Sequence, residues 1–147
     1  MKKTFLKLAS VLLATSLTMG AYVAQAANPF AKHKVVLQIS DPNPFKQTLV
    51  LNVASNLVKH YGEDDVAVEI VAFGPGLRLL MKGNGNTGRI DGLSQKGVAF
   101  SACKNTIRNF GKKLGGKPAL NSHAKPVSAG VVRILDLIKD GYVLVKP

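Results

Sequence analysis

Apolar and polar residues alternate over residues 33–40, with Val35, Leu37 and Ile39 on one face and Val36 on the other. A period of two predicts a strand. Asp41-Pro42-Asn43-Pro44 interrupts it, and Asn43 followed by Pro44 predicts a capped helix start. Phe45, Leu49, Val53 and Leu57 then recur every four residues, and Val50, Ala54 and Val58 widen the stripe. This predicts a helix to Tyr61 with that stripe turned inward, ended by Gly62. Residues 66–73 are nearly all apolar, as in a strand covered on both faces. Gly74-Pro75-Gly76 turns the chain into a short helix over 77–82. A loop rich in Gly and Asn follows over 83–88, then another short helix over 89–96.

The second half repeats the alternation of elements. Residues 97–102 read as a third strand, and Cys103 stands where it meets a helix over 104–114. Gly115-Gly116-Lys117-Pro118 breaks the chain. A short fourth strand over 125–128 precedes a helix over 129–139, with Val131, Ile134, Leu135 and Ile138 as its apolar stripe. Residues 142–146 form the last strand. Strands alternating with helices predict a single α/β domain, a three-layer Rossmann-like sandwich. Its mostly parallel sheet has about five strands, with helices on both faces.

The first 26 residues stand apart from this pattern. Lys2, Lys3 and Lys7 precede an apolar run that ends in Ala24-Gln25-Ala26. The layout is that of a secretory signal peptide cleaved before Ala27. A retained membrane anchor is the rival reading, and the small and hydroxyl residues of the run weigh against it. Cleavage leaves residues 27–147 as the folded domain and the periplasm as its expected location. The domain is expected to have no stable membrane insertion. Of the 147 residues, 20 are Lys or Arg against 8 Asp or Glu. Without the three leader lysines, 17 against 8 leaves +9.

That charge is uneven. From Arg89 onward eleven Lys and Arg face only Asp91, Asp136 and Asp140. A basic half attracts anions. Nucleic acid, the other usual partner of such a surface, is not expected in an exported chain without aromatic interleaving. His33, His60 and His123 lie far apart, with no ligand spacing that predicts a metal. The sequence contains no P-loop, dinucleotide fingerprint or G-x-S-x-G elbow, so no cofactor is expected.

Ligands of open α/β sheets bind beyond the carboxyl ends of the strands. Three turns are predicted there: one at Ser40 and Asp41, one at Gly74, Pro75 and Gly76, and one at Cys103, Lys104, Asn105 and Thr106. Cys103, the single cysteine, has no internal disulfide partner. At a helix N-terminus, beside Lys104 and with Arg108 and Lys112 further along, its thiol would ionise below the free value of about 8.5. The alternative is a small buried side chain at a tight junction. Gly74-Pro75-Gly76 could offer backbone N–H groups to an anion or be a plain turn. Asp41 could orient a partner or cap its turn.

Several stretches resemble the DsrE/DsrF-like family, the small α/β proteins of sulfur relay, in its exported single-domain branch. They are Lys34-Val35-Val36-Leu37-Gln38-Ile39-Ser40-Asp41, Leu51-Asn52-Val53-Ala54 and Val68-Glu69-Ile70-Val71-Ala72-Phe73-Gly74-Pro75-Gly76. Ala102-Cys103-Lys104-Asn105-Thr106 and the Gly141-Tyr142 to Lys146-Pro147 ending are the most specific. The resemblance implies a DsrEFH-like sheet, assembly into homotrimers or hexamers, and a persulfide on Cys103. Asn105 and Thr106 would shape its pocket, and the loop Gly74, Pro75 and Gly76 would face it. Sulfur would come from, and pass to, a partner protein or a small anionic sulfur compound. Such a chain would be a sulfur carrier or sulfurtransferase subunit. The alternative is a non-catalytic subunit that binds a small anion or forms an oligomer. Two features depart from the family pattern: Phe73 stands where many relatives have His or Tyr, and residues 111–125 are basic rather than acidic.

Overall fold

The computed structural model describes Asn28 and residues 30–147. The expected signal peptide and its cleavage site lie outside the described residues. The elements are β1 (His33–Ile39), α1 (Pro44–Tyr61), β2 (Val66–Ala72), a 3-10 helix (Gly74–Leu80), α2 (Thr87–Gln95), β3 (Ala99–Cys103), α3 (Lys104–Leu114), β4 (Ala124–Val127), α4 (Gly130–Lys139) and β5 (Val143–Val145).

One sheet runs in the order β4-β3-β2-β1-β5, and every pairing is parallel. The order dictates the layers. From β1 to β4 each strand is laid beside the last in the same direction, so right-handed crossovers keep the intervening helices on one face. The step from β4 to β5 returns across the whole sheet, so α4 must lie on the opposite face. The buried clusters divide accordingly. Leu37, Ile39, Val68, Ile70 and Phe100 pack with α1, α2 and α3 residues such as Leu51, Ile90 and Ile107. On the other face Val36 and Val71 pack with Ile134 and Leu137 of α4. Central β2 is buried at every position.

Local chemistry sets the element ends. Asn43 Oδ1 accepts the Phe45 N–H at 2.9 Å, and Pro44 opens α1. Gly62, at φ 90°, closes it. A Cβ on Gly76 would stand 2.4 Å from the Ile39 carbonyl oxygen. Only glycine lets the 3-10 helix approach the end of β1 so closely.

Two expected helix faces are turned. In α1, Phe45 is 85% exposed and Leu49 is also exposed, while Gln47, Val50, Leu51, Ala54 and Val58 are buried. Gln47 takes an inward place because both ends of its amide are bonded, its Nε2 to the Pro42 carbonyl and its Oε1 from Asn84 Nδ2. In α4, Ile134 and Leu137 face the sheet, and Val131, Leu135 and Ile138 face outward. A single helix on a narrow sheet face buries one line of residues rather than a broad stripe. The 3-10 helix begins at Gly74 rather than in the expected 77–82 helix, and α2 begins at Thr87. Among the described residues no helix is long and apolar enough to cross a membrane.

Candidate functional site

The adjacent strands β3 and β4 send their chains to opposite faces, β3 into α3 and β4 into α4. Their carboxyl ends therefore form the crevice where open α/β sheets bind ligands. Cys103 is the last residue of β3 and the N-cap of α3. It is 5% exposed and is the free cysteine of the chain.

Burial alone would raise the pKa of the Cys103 thiol. Hydrogen bonds from the Thr106 hydroxyl and from the backbone amides of Thr106, Gly130 and Asn105 outweigh it, so the thiol is held below its ordinary value. Asn105 and Thr106 belong to the first turn of α3, and Gly130 opens α4. One sulfur thus faces the N-termini of two helices from two layers. A neutral thiol is a weak acceptor and would satisfy these donors poorly; a thiolate satisfies them well.

The remaining predicted residues divide. Thr106 is oriented by the second turn: its Oγ1 accepts the Gly74 N–H at 2.9 Å, leaving its proton for the sulfur. That bond uses the Gly74 amide, and Pro75 has none, so Gly74-Pro75-Gly76 positions Thr106 instead of forming an anion nest. Gly76 serves the close approach to β1. Lys104 and Asn105 are exposed at the start of α3, and Asn105 Oδ1 accepts from Arg108 at 2.8 Å. Ser40 and Asp41 line a separate small pocket of about 140 Å³ with Lys46 and Lys146. Asp41 caps its turn, accepting the Asn43 N–H at 2.8 Å and pairing with Lys46 at 3.3 Å. The Asn43 bond leads in holding its carboxyl below the usual carboxylate range. A groove of about 470 Å³ crosses the ends of β1 to β3, passing Pro42, Gly74, Thr106, Arg78 and Lys113. It joins the second and third turns and carries two cations.

Three features were not read from the sequence. Gly130 supplies a donor to Cys103 and also packs on Phe73; an added Cβ would stand 2.9 Å from that side chain. Glu69, 2% exposed in central β2, receives two bonds from Arg133 of α4 at 2.8 and 2.7 Å and one from the Ser101 hydroxyl at 2.6 Å. An acid inside an otherwise apolar strand was the available signal. The Glu69 bonds raise the Arg133 pKa; burial, then the Glu69 charge, raises that of Tyr142. Lastly, His123 bridges Ser94 (Nδ1 to Oγ, 2.9 Å) and Asp91 (Nε2 to Oδ1, 3.3 Å) beside the amino ends of β3 and β4. The ring edges are transposed relative to a hydrolytic triad, and Ser94 is buried within α2, so the chain of contacts ties a loop to α2. Among the described residues no group of three or more His, Cys, Asp or Glu could hold a metal ion.

No family model and no curated protein matches the chain. Among solved structures it is similar to MTH1491 from Methanobacterium thermoautotrophicum, a protein of unknown function. The identity is 27% and the TM-score 0.70, over 78% of this chain and 99% of that one. This likeness supports the α/β architecture across nearly the whole described region. A second structure, the conserved protein of unknown function BT1422 from Bacteroides thetaiotaomicron, shares 17% identity at a TM-score of 0.49, over 78% of this chain and 94% of that one. It is too distant to add to the argument.

Proposed function

We propose that this is a periplasmic DsrE/DsrF-like protein that carries sulfane sulfur as a persulfide on Cys103. The observation that carries the reading is the place of Cys103, enclosed at the junction of β3 and α3 where the chains leaving β3 and β4 part to opposite faces, with the Thr106 hydroxyl of the same helix turn held by the Gly74 N–H. In the loading step the Cys103 thiolate attacks the outer sulfur of a polysulfide or thiosulfate. A new S–S bond forms at Cys103 while the donor's S–S bond breaks. The electron pair leaves with the shortened polysulfide or with sulfite. Attack by an acceptor thiolate on the outer sulfur of the Cys103 persulfide reverses the step and regenerates the Cys103 thiolate. No net oxidant is consumed. The enclosure of Cys103 favours small donors over bulky ones, and Arg78 and Lys113, in the groove that Thr106 also lines, favour anionic ones.

The test is intact mass after incubation of the purified domain with polysulfide. The expected result is a gain of roughly 32 Da on the wild type, removed by dithiothreitol and absent in Cys103→Ser. Absence of the adduct on wild-type protein, under conditions that load a known carrier, would overturn the reading.

A homo-oligomer is part of the proposal. Val131, Val132, Leu135 and Ile138 of α4 and the β5 residues Val143, Leu144 and Val145 are all exposed. They form an apolar surface at an open sheet edge of the kind that monomers seldom leave bare. A second copy is the occupant proposed for it. Light scattering is expected to give a mass of at least a dimer for the wild-type domain. Leu135→Asp should reduce it to the monomer at micromolar concentration; a monomeric wild type would remove this part of the reading.

A further inference from the structure

The outer side of α3 carries a groove that the sulfur chemistry does not use. It has a volume of about 630 Å³ and lies between α3 and β4. Lys104, Arg108, Lys112 and Lys117 line it, with Ile107 and Pro126 as apolar contacts. None of the four cations has a carboxylate within ion-pair distance among the described residues. Gly111 packs against the Gly116–Lys117 backbone; an added Cβ there would stand 3.5 Å from the Gly116 carbonyl oxygen. Lys104, which follows Cys103 in the chain, stands at the α3 N-terminal end of the groove, and Cys103 itself does not line it.

Spacing identifies what the groove accepts. Lys104, Arg108 and Lys112 are four residues apart on one helix, so each step is about 6 Å and the row spans about 12 Å. In an extended polypeptide, side chains two residues apart project to the same side about 6.6 Å from each other. Acidic residues at alternate positions of an extended segment therefore meet successive cations of α3. The intervening small or apolar groups can lie near Ile107 and Pro126. A single small oxyanion meets neighbouring cations only and leaves the rest of the row unused. Single-stranded nucleic acid also has phosphates to offer, but among the described residues no aromatic side chain lines this groove to stack its bases. Pro126 and Lys125 lie on the edge strand β4, and a proline there lacks the N–H needed for continuous pairing. The occupant is thus held by its side chains and does not join the sheet.

We infer that this groove docks an acidic, extended segment of a partner protein and leads its end to Cys103. The inference rests on the persulfide reading, since it describes how a sulfur donor or acceptor would be presented to that residue. The docking surface itself involves different side chains and is measured separately.

The probe is a fluorescein-labelled hexapeptide with Glu at alternate positions, read by anisotropy against the folded domain. Controls are the same peptide with Gln for Glu and a labelled oligothymidine. The variant is Arg108→Ser, Lys112→Ser, Lys117→Ser, which changes exposed side chains only. Saturable binding of the Glu peptide is expected, with the Gln peptide about tenfold weaker or more, and with a comparable loss in the triple variant or on raising salt from 50 to 300 mM. Equal binding by the triple variant, equal binding of the Gln peptide, no binding of the Glu peptide or tighter binding of the oligothymidine would each overturn the inference. Peptide binding without a persulfide adduct would sink the sulfur reading and leave the groove assigned. An adduct without peptide binding would do the reverse.

Discussion

Arg133→Ala is expected to cost the fold about 3 kcal/mol, lowering the melting temperature on the order of 10 °C. Glu69 sits at the middle of the central strand, 2% exposed, and Arg133 supplies two of its three hydrogen bonds. Removing the guanidinium leaves a buried carboxylate with the Ser101 hydroxyl as its remaining bonded partner. The loss should lie toward the lower end for buried pairs, because the Arg133 side chain is 38% exposed and water can partly replace it. Urea melts are the measurement, with the midpoint moving and the slope unchanged. A combined Glu69→Met, Arg133→Met, Ser101→Ala replacement should recover most of the loss, since an apolar set leaves no polar group unmatched. A loss below about 1 kcal/mol in the single variant would mean that the pair contributes no more than a surface one.

Thr106→Val is expected to slow alkylation of Cys103 at neutral pH about tenfold, the usual effect of losing a hydrogen bond to a charged group. The valine fills nearly the same volume but cannot pass the Gly74 contact on to the sulfur as a donated proton. The measurement is alkylation rate against pH, with urea-unfolded protein as reference. The wild-type midpoint should fall below the reference and that of Thr106→Val should move back toward it. Enclosure of the sulfur should also keep the wild-type plateau rate below the unfolded one. A stability signature accompanies this. The folded thiol ionises at a lower pH than the unfolded one, so its contribution is absent at low pH, where both states hold the proton. The contribution grows as pH rises through the folded value and is complete above the unfolded one. Wild type should therefore gain stability relative to Cys103→Ser across that window. Coincident midpoints for wild type and Thr106→Val would remove the hydroxyl from the site.

The fold was legible because its signals are local. Strand and helix periods, the Asn43-Pro44 start and the Gly62 stop can each be read within a few residues, and alternation then implies a parallel sheet. Cys103 and Thr106 were legible for the same reason: both lie at one strand–helix junction. What was missed depends on pairing across the sheet. Gly130 reaches Cys103 because β4 lies beside β3, which no short window reveals. The burial of Glu69 required Arg133 from another layer, 64 residues away. The inward faces of α1 and α4 were misjudged because apolar spacing gives a stripe but not its phase. In α1 the bonded amide of Gln47 took an inward place, and in α4 the narrow sheet face left Val131, Leu135 and Ile138 outside. Ser40 and Asp41 were placed at the correct end of the sheet, yet they line their own pocket at the β1 end.

The donors around Cys103 come from both sides of the sheet, two amides and a hydroxyl from α3 and one amide from α4. Acidity and helix seating are consequently linked quantities. A contact on the outward face of α4 that displaces Gly130 is therefore expected to change the acidity of the Cys103 thiol. Reciprocity requires that the charge on sulfur alter the affinity of that contact by the same factor. The protonation state of Cys103 would thereby report whether α4 is seated on its face of the sheet.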